Sequence, residues 1–547
     1  MDYPVETITD DERQILAPHF TNLDRPVFAL VNLPETVKGA MFARYSRYPG
    51  TLRRLFLDEF AGDLEGAAAA TFDGAEGKRA AALYRRIFLG YGDDSVAQLG
   101  GAHIACEWVS NTLTKVLQRG RLAAYLEQST RYIPYDAPMP GGGGGRAVGP
   151  EAGAASGRGG YRYWRDPSLG PEYEAAMDHL FSTYSESLPR VHAWAEERFP
   201  RSDEESEAAY ARSIKAKALD LLRGLLPAGS LSHMGIFATG QAYEQLLLRL
   251  LSYPLPEARD FGGMILSELT AVMPSFVQRV VRPERGGEWI AYLEERSLAA
   301  DRWARRLGLD RAAAEESNRP SVRLLSAHGT EEDLLAALLF EAAGTSEDEV
   351  RSAVRVLPPD ERAVLLRELV GERANRRYRP GRGFEALRYR FELVSDYGAF
   401  RDLQRHRILT AQWQPLTPHL GAGIPEELEA AGVADAYRAG LDRSRAEYER
   451  LLESGRPDAA PYAVCLGYRI RYVLDMNARE AMHLIELRSG REGHPSYRAV
   501  AHELHAQIAS VHPSVAAAMT HVDRDTEPRL ERILSEIRTE AKRAARA

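Results

Sequence analysis

The sequence predicts an α+β protein in which helices dominate and the sheets are small, mixed or antiparallel. Three observations carry that prediction: long stretches with apolar residues at three- and four-residue spacing, only a few short stretches of strand composition, and two breaks that divide the chain. In chain order, 27-VFALV-31 is a continuous β-branched and aromatic run, hence a strand. The stretches 211-ARSIKAKALDLLRGLL-226 and 241-QAYEQLLLRLL-251 set apolar residues at helical spacing among Arg, Lys and Glu. After the polar zone 282-RPERGGEWIAYLEERSLAADRWARR-306, the run 320-PSVRLLSA-327 restarts as a strand. The pattern of 360-DERAVLLRELVGERA-374 is helical again, and 386-ALRYRFELV-394 alternates well enough for a strand. The glycine-rich segment at about 140–160 has no side chains with which to pack and reads as an insertion.

At 547 residues the chain is longer than a single core usually supports, so two domains are expected, 1–315 and 316–547. A formal charge of −8 excludes a general nucleic-acid binder, and arginine clusters within an acidic chain point to discrete anionic ligands. Cys106 and Cys465 are too few for a disulfide framework and read as buried thiols in a reducing cytoplasm. The acidic N-terminus lacks an apolar leader, and no run of about 18 apolar residues predicts a membrane span. No Cys/His cluster has metal-ligand spacing, so no metal is expected. The run 141-GGGGG-145 lacks the Lys-Ser/Thr of a phosphate loop.

One phrase occurs twice. The stretch 119-RGRLAAYLEQSTRY-132 and the stretch 405-RHRILTAQWQPLT-417 open with the same Arg-x-Arg, 286 residues apart. A second pair, 249-RLLSYPLPEAR-259 and 488-RSGREGHPSYR-498, shares its terminal arginines and a proline at the eighth position, Pro256 and Pro495. Two such pairs in the same order indicate an internal repeat.

These phrases resemble the signature R-H-R-x-x-S-x-x-E-x-S-x-R-Y of the flavin-dependent thymidylate synthases, and the chain looks like two such units in tandem. In the first half, 95-SVAQL-99 precedes Arg119 by the family's interval of 24 residues, and 223-RGLLP-227 follows. In the second half, 477-NAREAMHLIELR-488 resembles the family's N-x-R-x-x-x-H-x-x-x-L-R helix. The departures complement one another. Leu99, Gly120 and Ala124 replace family residues in the first half; Trp413, Pro415 and Thr417 do so in the second, and Glu385 stands at the upstream histidine position. Asp402 stands where the family tends to have glutamine.

The family builds each nucleotide site between subunits of a homotetramer. The resemblance therefore implies one composite site, with a homodimer of this chain standing in for the tetramer. Glu127, Gln128, Ser129, Thr130, Arg131 and Arg223 would bind the nucleotide with Arg405 and Arg488. Arg405, His406, Arg407, Asn477, Arg479 and His483 would hold FAD. Arg131, Arg223 and Arg405 suit a monophosphate, because a guanidinium makes paired contacts with a dianion, and Ser129 adds a short donor. Arg488 is the catalytic candidate for stabilising uracil as N3–H is lost, with Ser129 beside it. His406 and His483 also read as ordinary helix or core histidines, and Asn477 as a helix N-cap. The implied reaction is C5-methylation of dUMP using methylenetetrahydrofolate and NADPH. The alternatives are a UMP or modified-uridylate methylase, and a nucleotide- or flavin-binding pseudoenzyme.

Overall fold

The computed structural model describes residues 3, 6–33, 35–64, 95–136, 160–203, 205–309, 320–527, 529–533, 535–537 and 540. The glycine-rich run 141–145 and the expected boundary near 315 both lie outside these residues. Two compact units are present, and they interleave in sequence. The first takes Met1–Ser187, Leu225–Ala314 and Ala436–Cys465; the second takes Leu188–Gly224, Glu315–Asp435 and Leu466–Ala547.

Each unit holds a four-stranded antiparallel sheet, so the expected α+β class is observed with no parallel pairing among the described strands. The first sheet is formed by β1 (Val27–Ala29), β2 (Gly101–Ser110), β3 (Ala123–Glu127) and β4 (Leu231–Thr239), in the order β1-β2-β4-β3. The second is formed by β5 (Ser321–His328), β6 (Arg388–Asp396), β7 (Leu409–Trp413) and β8 (Arg469–Asn477), in the order β5-β6-β8-β7. The two orders are the same, which is the internal repeat in three dimensions. β1, β5 and β6 were legible as strands. The others were not, although β8 buries Ile470, Tyr472, Leu474 and Met476 at alternate positions.

The repeat extends to the caps. Ser110 ends β2 and accepts the Leu113 N–H to start helix Asn111–Leu117; Asp396 ends β6 and accepts the Ala399 N–H to start helix Tyr397–Leu403. Both helices have seven residues, and Arg119 and Arg405 each follow two residues after the last. Pro256 and Pro495 each open a helix of 17 residues, Pro256–Val272 and Pro495–Val511, where a missing N–H costs nothing. The residue after each proline then reaches the β-strand cap with its chemistry exchanged. Glu257 accepts from Ser110 N at 2.8 Å and Ser110 Oγ at 2.6 Å, whereas Ser496 donates its hydroxyl to Asp396.

The first unit's core includes Phe20, Phe28 and Phe56, with Phe20 meeting the other two edge-on at 5.5 Å. Its late segment is fastened by Tyr462, which stacks on Trp164 at 4.2 Å and donates to Glu257 at 2.8 Å. In the second unit, helix Glu207–Leu222 is held by buried Lys217, 2.7 Å from Glu531. Cys106 and Cys465 are buried and unbridged, and burial pushes the Cys465 thiol up to about 12. No helix among the described residues is long and apolar enough to cross a membrane.

Glu257 gathers three donors, from Ser110 N, Ser110 Oγ and Tyr462 Oη. Glu257→Ala leaves them buried without an acceptor, at about 1–3 kcal/mol each before relaxation. Chemical denaturation of the variant is expected to show a loss of about 2–4 kcal/mol, and a loss below about 0.5 kcal/mol contradicts this role.

Candidate functional site

The second unit concentrates charge where β6 and β8 each hand over to a helix. Helix Tyr397–Leu403 carries Asp402 in its last turn, and the chain then exposes Arg405, buries His406 and half-buries Arg407 before β7. β8 ends at Asn477, whose Oδ1 accepts the Glu480 N–H at 2.9 Å and so starts helix Ala478–Arg488. That helix carries Arg479 and Glu480 in its first turn, His483 one turn on, and Arg488 as its last residue.

Glu480, His406 and Arg488 form a hydrogen-bonded chain. His406 Nδ1 lies 2.9 Å from Glu480 Oε1, with both side chains almost fully buried. Arg488 donates its Nε–H to His406 Nε2 at 3.1 Å. An arginine Nε keeps its hydrogen, so His406 Nε2 must accept, the ring proton sits on Nδ1, and the imidazole is neutral. Burial, with Arg488 alongside, holds His406 well below the usual imidazole range. Burial would raise the Glu480 carboxyl, but the His406 hydrogen bond and the nearby His483 ring outweigh it and hold Glu480 low. His483 Nδ1 is 3.4 Å from Glu480 Oε2, and its ring stands 5.1 Å from that of His406. Ligand atoms of His406, Glu480 and His483 lie within 4.8 Å of one another. Both His406 nitrogens are engaged in hydrogen bonds, so in this arrangement the ring supports Arg488.

Next to the chain, three guanidinium groups converge on one carboxylate. Arg223 Nη1 is 3.7 Å from Asp402 Oδ2; Arg405 Nη1 and Arg488 Nη1 are 3.7 and 3.9 Å from Asp402 Oδ1. Three positive charges against one negative leave an excess of two. Arg223 arrives from the end of helix Glu207–Leu222, with 4% of its surface exposed, and its Nη2 is buried with no hydrogen-bond partner among the described residues. It passes so close to Gly398 that a Cβ there would stand 3.0 Å from Nη2. Arg479 is turned to the other side of its helix, donating to Pro380 O at 2.9 Å and lying 3.6 Å from Glu385. The Arg488 guanidinium lies over the Tyr497 ring at 5.5 Å.

Apart from Arg223, which belongs to the second unit, the expected residues of the first half lie in the first unit. Glu127 accepts from Lys115 Nζ at 2.9 Å and Gln118 Nε2 at 2.8 Å, all three buried. Gln128 donates to Tyr48 O and accepts from Arg162 Nη2, both at 2.7 Å. Thr130 is buried, Ser129 Oγ accepts the Arg131 N–H at 3.2 Å, and Arg131 is half-buried. Among the described residues of this unit the Glu–His–Arg chain is not repeated. Thr239 caps helix Gly240–Leu251 as Asn477 caps its counterpart, but Ala242 takes the Glu480 position and Gly120 the His406 position. A Cβ on Gly120 would stand 2.6 Å from Tyr125 Oη, so a tyrosine hydroxyl fills the space of an imidazole.

Glu480 was not singled out from the sequence. It occupied a variable position of the N-x-R-x-x-x-H pattern, and the only signal was a carboxylate three residues before a histidine on one helix.

Comparison with known proteins brings a family into view. The Thy1 family, described as thymidylate synthase complementing protein, matches residues 56–275 and 330–514. A UPF0159 protein of Chlamydia muridarum is 36% identical over 97% of this chain and 98% of its own, and the UPF0159 protein Ta1429 of Thermoplasma acidophilum is 30% identical over 92% and 99%. A solved structure titled as a UMP/dUMP methylase, PolB from Streptomyces cacaoi bound with 5-Br dUMP, is 21% identical and covers 38% of this chain and 98% of its own, with a TM-score of 0.31.

His406 and Glu480 both have folded pKa values below their unfolded ones. The unfolded chain therefore takes up protons first, and stability falls as pH drops below the ordinary imidazole range and then the carboxylate range. Unfolding free energy is expected to fall by a few kcal/mol from pH 7 to 4, and the fall should be shallower in His406→Asn. An equal slope in both proteins contradicts the buried neutral imidazole.

Proposed function

Because the chain belongs to the thymidylate synthase complementing protein family, we propose that it methylates C5 of a pyrimidine nucleoside monophosphate, with dUMP as the default substrate. One observation carries the reading most directly: Arg223, Arg405 and Arg488 bring three positive charges to a single carboxylate. A phosphate dianion matches the charges of Arg223 and Arg405, with the buried Arg223 Nη2 as the donor that would meet it, and Arg488 is left for the base. By the family resemblance, Ser129 and Arg131 would add donors for the same nucleotide, with Glu127 at the end of β3 and Gln128 and Thr130 holding the segment that carries them.

Arg405, Arg407, Arg479 and His483 are a donor set that fits an anionic dinucleotide, and we assign FAD to them. Asn477 spends its Oδ1 on the helix cap, so its part in that site is to fix the helix. Bound reduced flavin supplies the reducing equivalents, with methylenetetrahydrofolate as carbon donor and NADPH as reductant. The residues do the rest by position and charge. Neutral His406 anchors Arg488 through Nε, and Glu480 fixes the imidazole in the tautomer that can accept. The guanidinium, charged at any working pH, then stabilises the uracil ring as N3–H is lost and C5 becomes nucleophilic. Neither cysteine enters: both are buried in the first unit and burial raises both thiols. UMP is the second reading, favoured by Asp402, whose carboxylate can accept from sugar hydroxyls where an amide is the family's usual choice.

Titration with dUMP and UMP of the flavin-loaded chain and three variants tests the assignment. Arg223→Ala and Arg405→Ala should each weaken binding by about 30-fold or more, since removing one cation from a phosphate contact costs about 2–5 kcal/mol. Arg121→Ala, in the first half's unused copy, should change it less than about fivefold. Strong loss in Arg121→Ala with Arg405→Ala silent would place the site in the other half.

A further inference from the structure

The second unit carries a basic run that the chemistry above leaves unused. The segment 376-RRYRPGR-382 places four arginines and a tyrosine in seven residues of a chain whose formal charge is −8. Arg377, Arg379 and Arg382 are exposed, Arg376 is half-buried, and Tyr378 is 55% exposed between two of them. Arg382 is engaged with Glu385 at 3.1 Å. Arg376, Arg377 and Arg379 make no ion pair among the described residues.

Such a run is ordinarily a solvated face on a loose backbone. This one is held from both ends. Arg373, whose side chain is 3% exposed, meets the buried Glu486 at 2.6 Å. The same guanidinium donates to Tyr378 O at 2.6 Å and to Arg376 O at 3.4 Å. At the other end Arg479 donates to Pro380 O at 2.9 Å and lies 3.6 Å from Glu385, the partner of Arg382. The run is thereby fixed to the first turn of helix Ala478–Arg488. A loop ordered in advance gives up less entropy when it binds.

Place and chemistry together indicate the ligand. Arg479 stands about 14 Å along the helix axis from Arg488, the group assigned to the base. His483 follows Arg479 by four residues and lies within about 40° of it around the helix, on the side assigned to flavin. A co-substrate that brings its reacting ring to the flavin carries its charges at the far end. A reduced folate ends in an aminobenzoyl ring and glutamate carboxylates; NADPH ends in adenine and a 2′-phosphate. Each is a ring followed by anionic oxygens, which a tyrosine flanked by guanidinium forks complements.

We propose that Arg376, Arg377 and Arg379, with Tyr378, receive the anionic tail of a co-substrate whose ring works at the flavin. The proposal rests on the methylase reading above.

Binding to the flavin-loaded chain tests it, with tetrahydrofolate, its triglutamate form, NADPH and NADH as probes. Arg377→Gln with Arg379→Gln removes two exposed charges that pair with nothing described, so circular dichroism, flavin content and dUMP affinity should match the wild type. The wild type should prefer the triglutamate over tetrahydrofolate, or NADPH over NADH, by at least about fivefold. The double variant should lose that preference, and in turnover the loss should appear in KM with kcat unchanged. The pair whose preference disappears identifies the source of the tail. A wild type with neither preference, a preference that survives in the double variant, or a variant that loses flavin or dUMP in step with the co-substrate overturns the inference. A chain that binds dUMP but shows no tail preference leaves the methylase reading standing and removes this one; a chain that binds neither dUMP nor co-substrate removes both.

Discussion

The hydrogen bond between His406 and Glu480 sets the state of every group around it in the second unit. It commits the ring proton to Nδ1, which leaves Nε2 to accept from Arg488 and so fixes where that guanidinium points. With Arg488 placed, Asp402 stands among three cations at 3.7, 3.7 and 3.9 Å. Asp402 limits the repulsion among the three arginines while leaving the cluster net positive. A buried carboxylate, a neutral imidazole and a surplus of guanidinium form a support that remains charged correctly across neutral pH. The cost of burying Glu480 is met by the hydrogen bond it receives.

The first unit shows the same backbone with that bond removed. Its strand order, its two capped helices and its proline-led 17-residue helix all repeat, so the architecture does not depend on the site. What differs is local. Gly120 supplies no imidazole, Tyr125 occupies its place, and Ala242 supplies no carboxylate. Arg249 lies ten residues after the Thr239 cap, whereas Arg488 lies eleven after Asn477, and one residue rotates a side chain by about 100° around a helix. Arg249 accordingly donates to Val116 O and serves the fold.

Much of this was legible in the sequence, and the limits have physical reasons. The Arg119/Arg405 and Pro256/Pro495 pairs gave the repeat, because caps and proline-led helices require particular residues at fixed positions. The convergence of Arg223 with Arg405 followed only from resemblance, since 182 residues separate them and no local pattern encodes a tertiary meeting. Glu480 was invisible because an acid beside arginine and histidine on a helix reads as a solvated face. β2 and β4 escaped because they are buried along nearly their whole length and so show no alternation, and β3 and β7 because five residues are too few to show a period. The interleaving of the units also has no local signal: Lys217 looks like any helix lysine until Glu531, far along the chain, is found beside it.

The central claim is that two copies of one architecture carry a single working site. Counting bound ligands tests it most directly. Reconstituted chain, freed of unbound flavin and saturated with dUMP, should hold one flavin and one nucleotide per polypeptide by absorbance and equilibrium dialysis. Two of each per polypeptide would show that the first unit's copy still binds, and would contradict an account in which Gly120, Tyr125 and Ala242 have closed it.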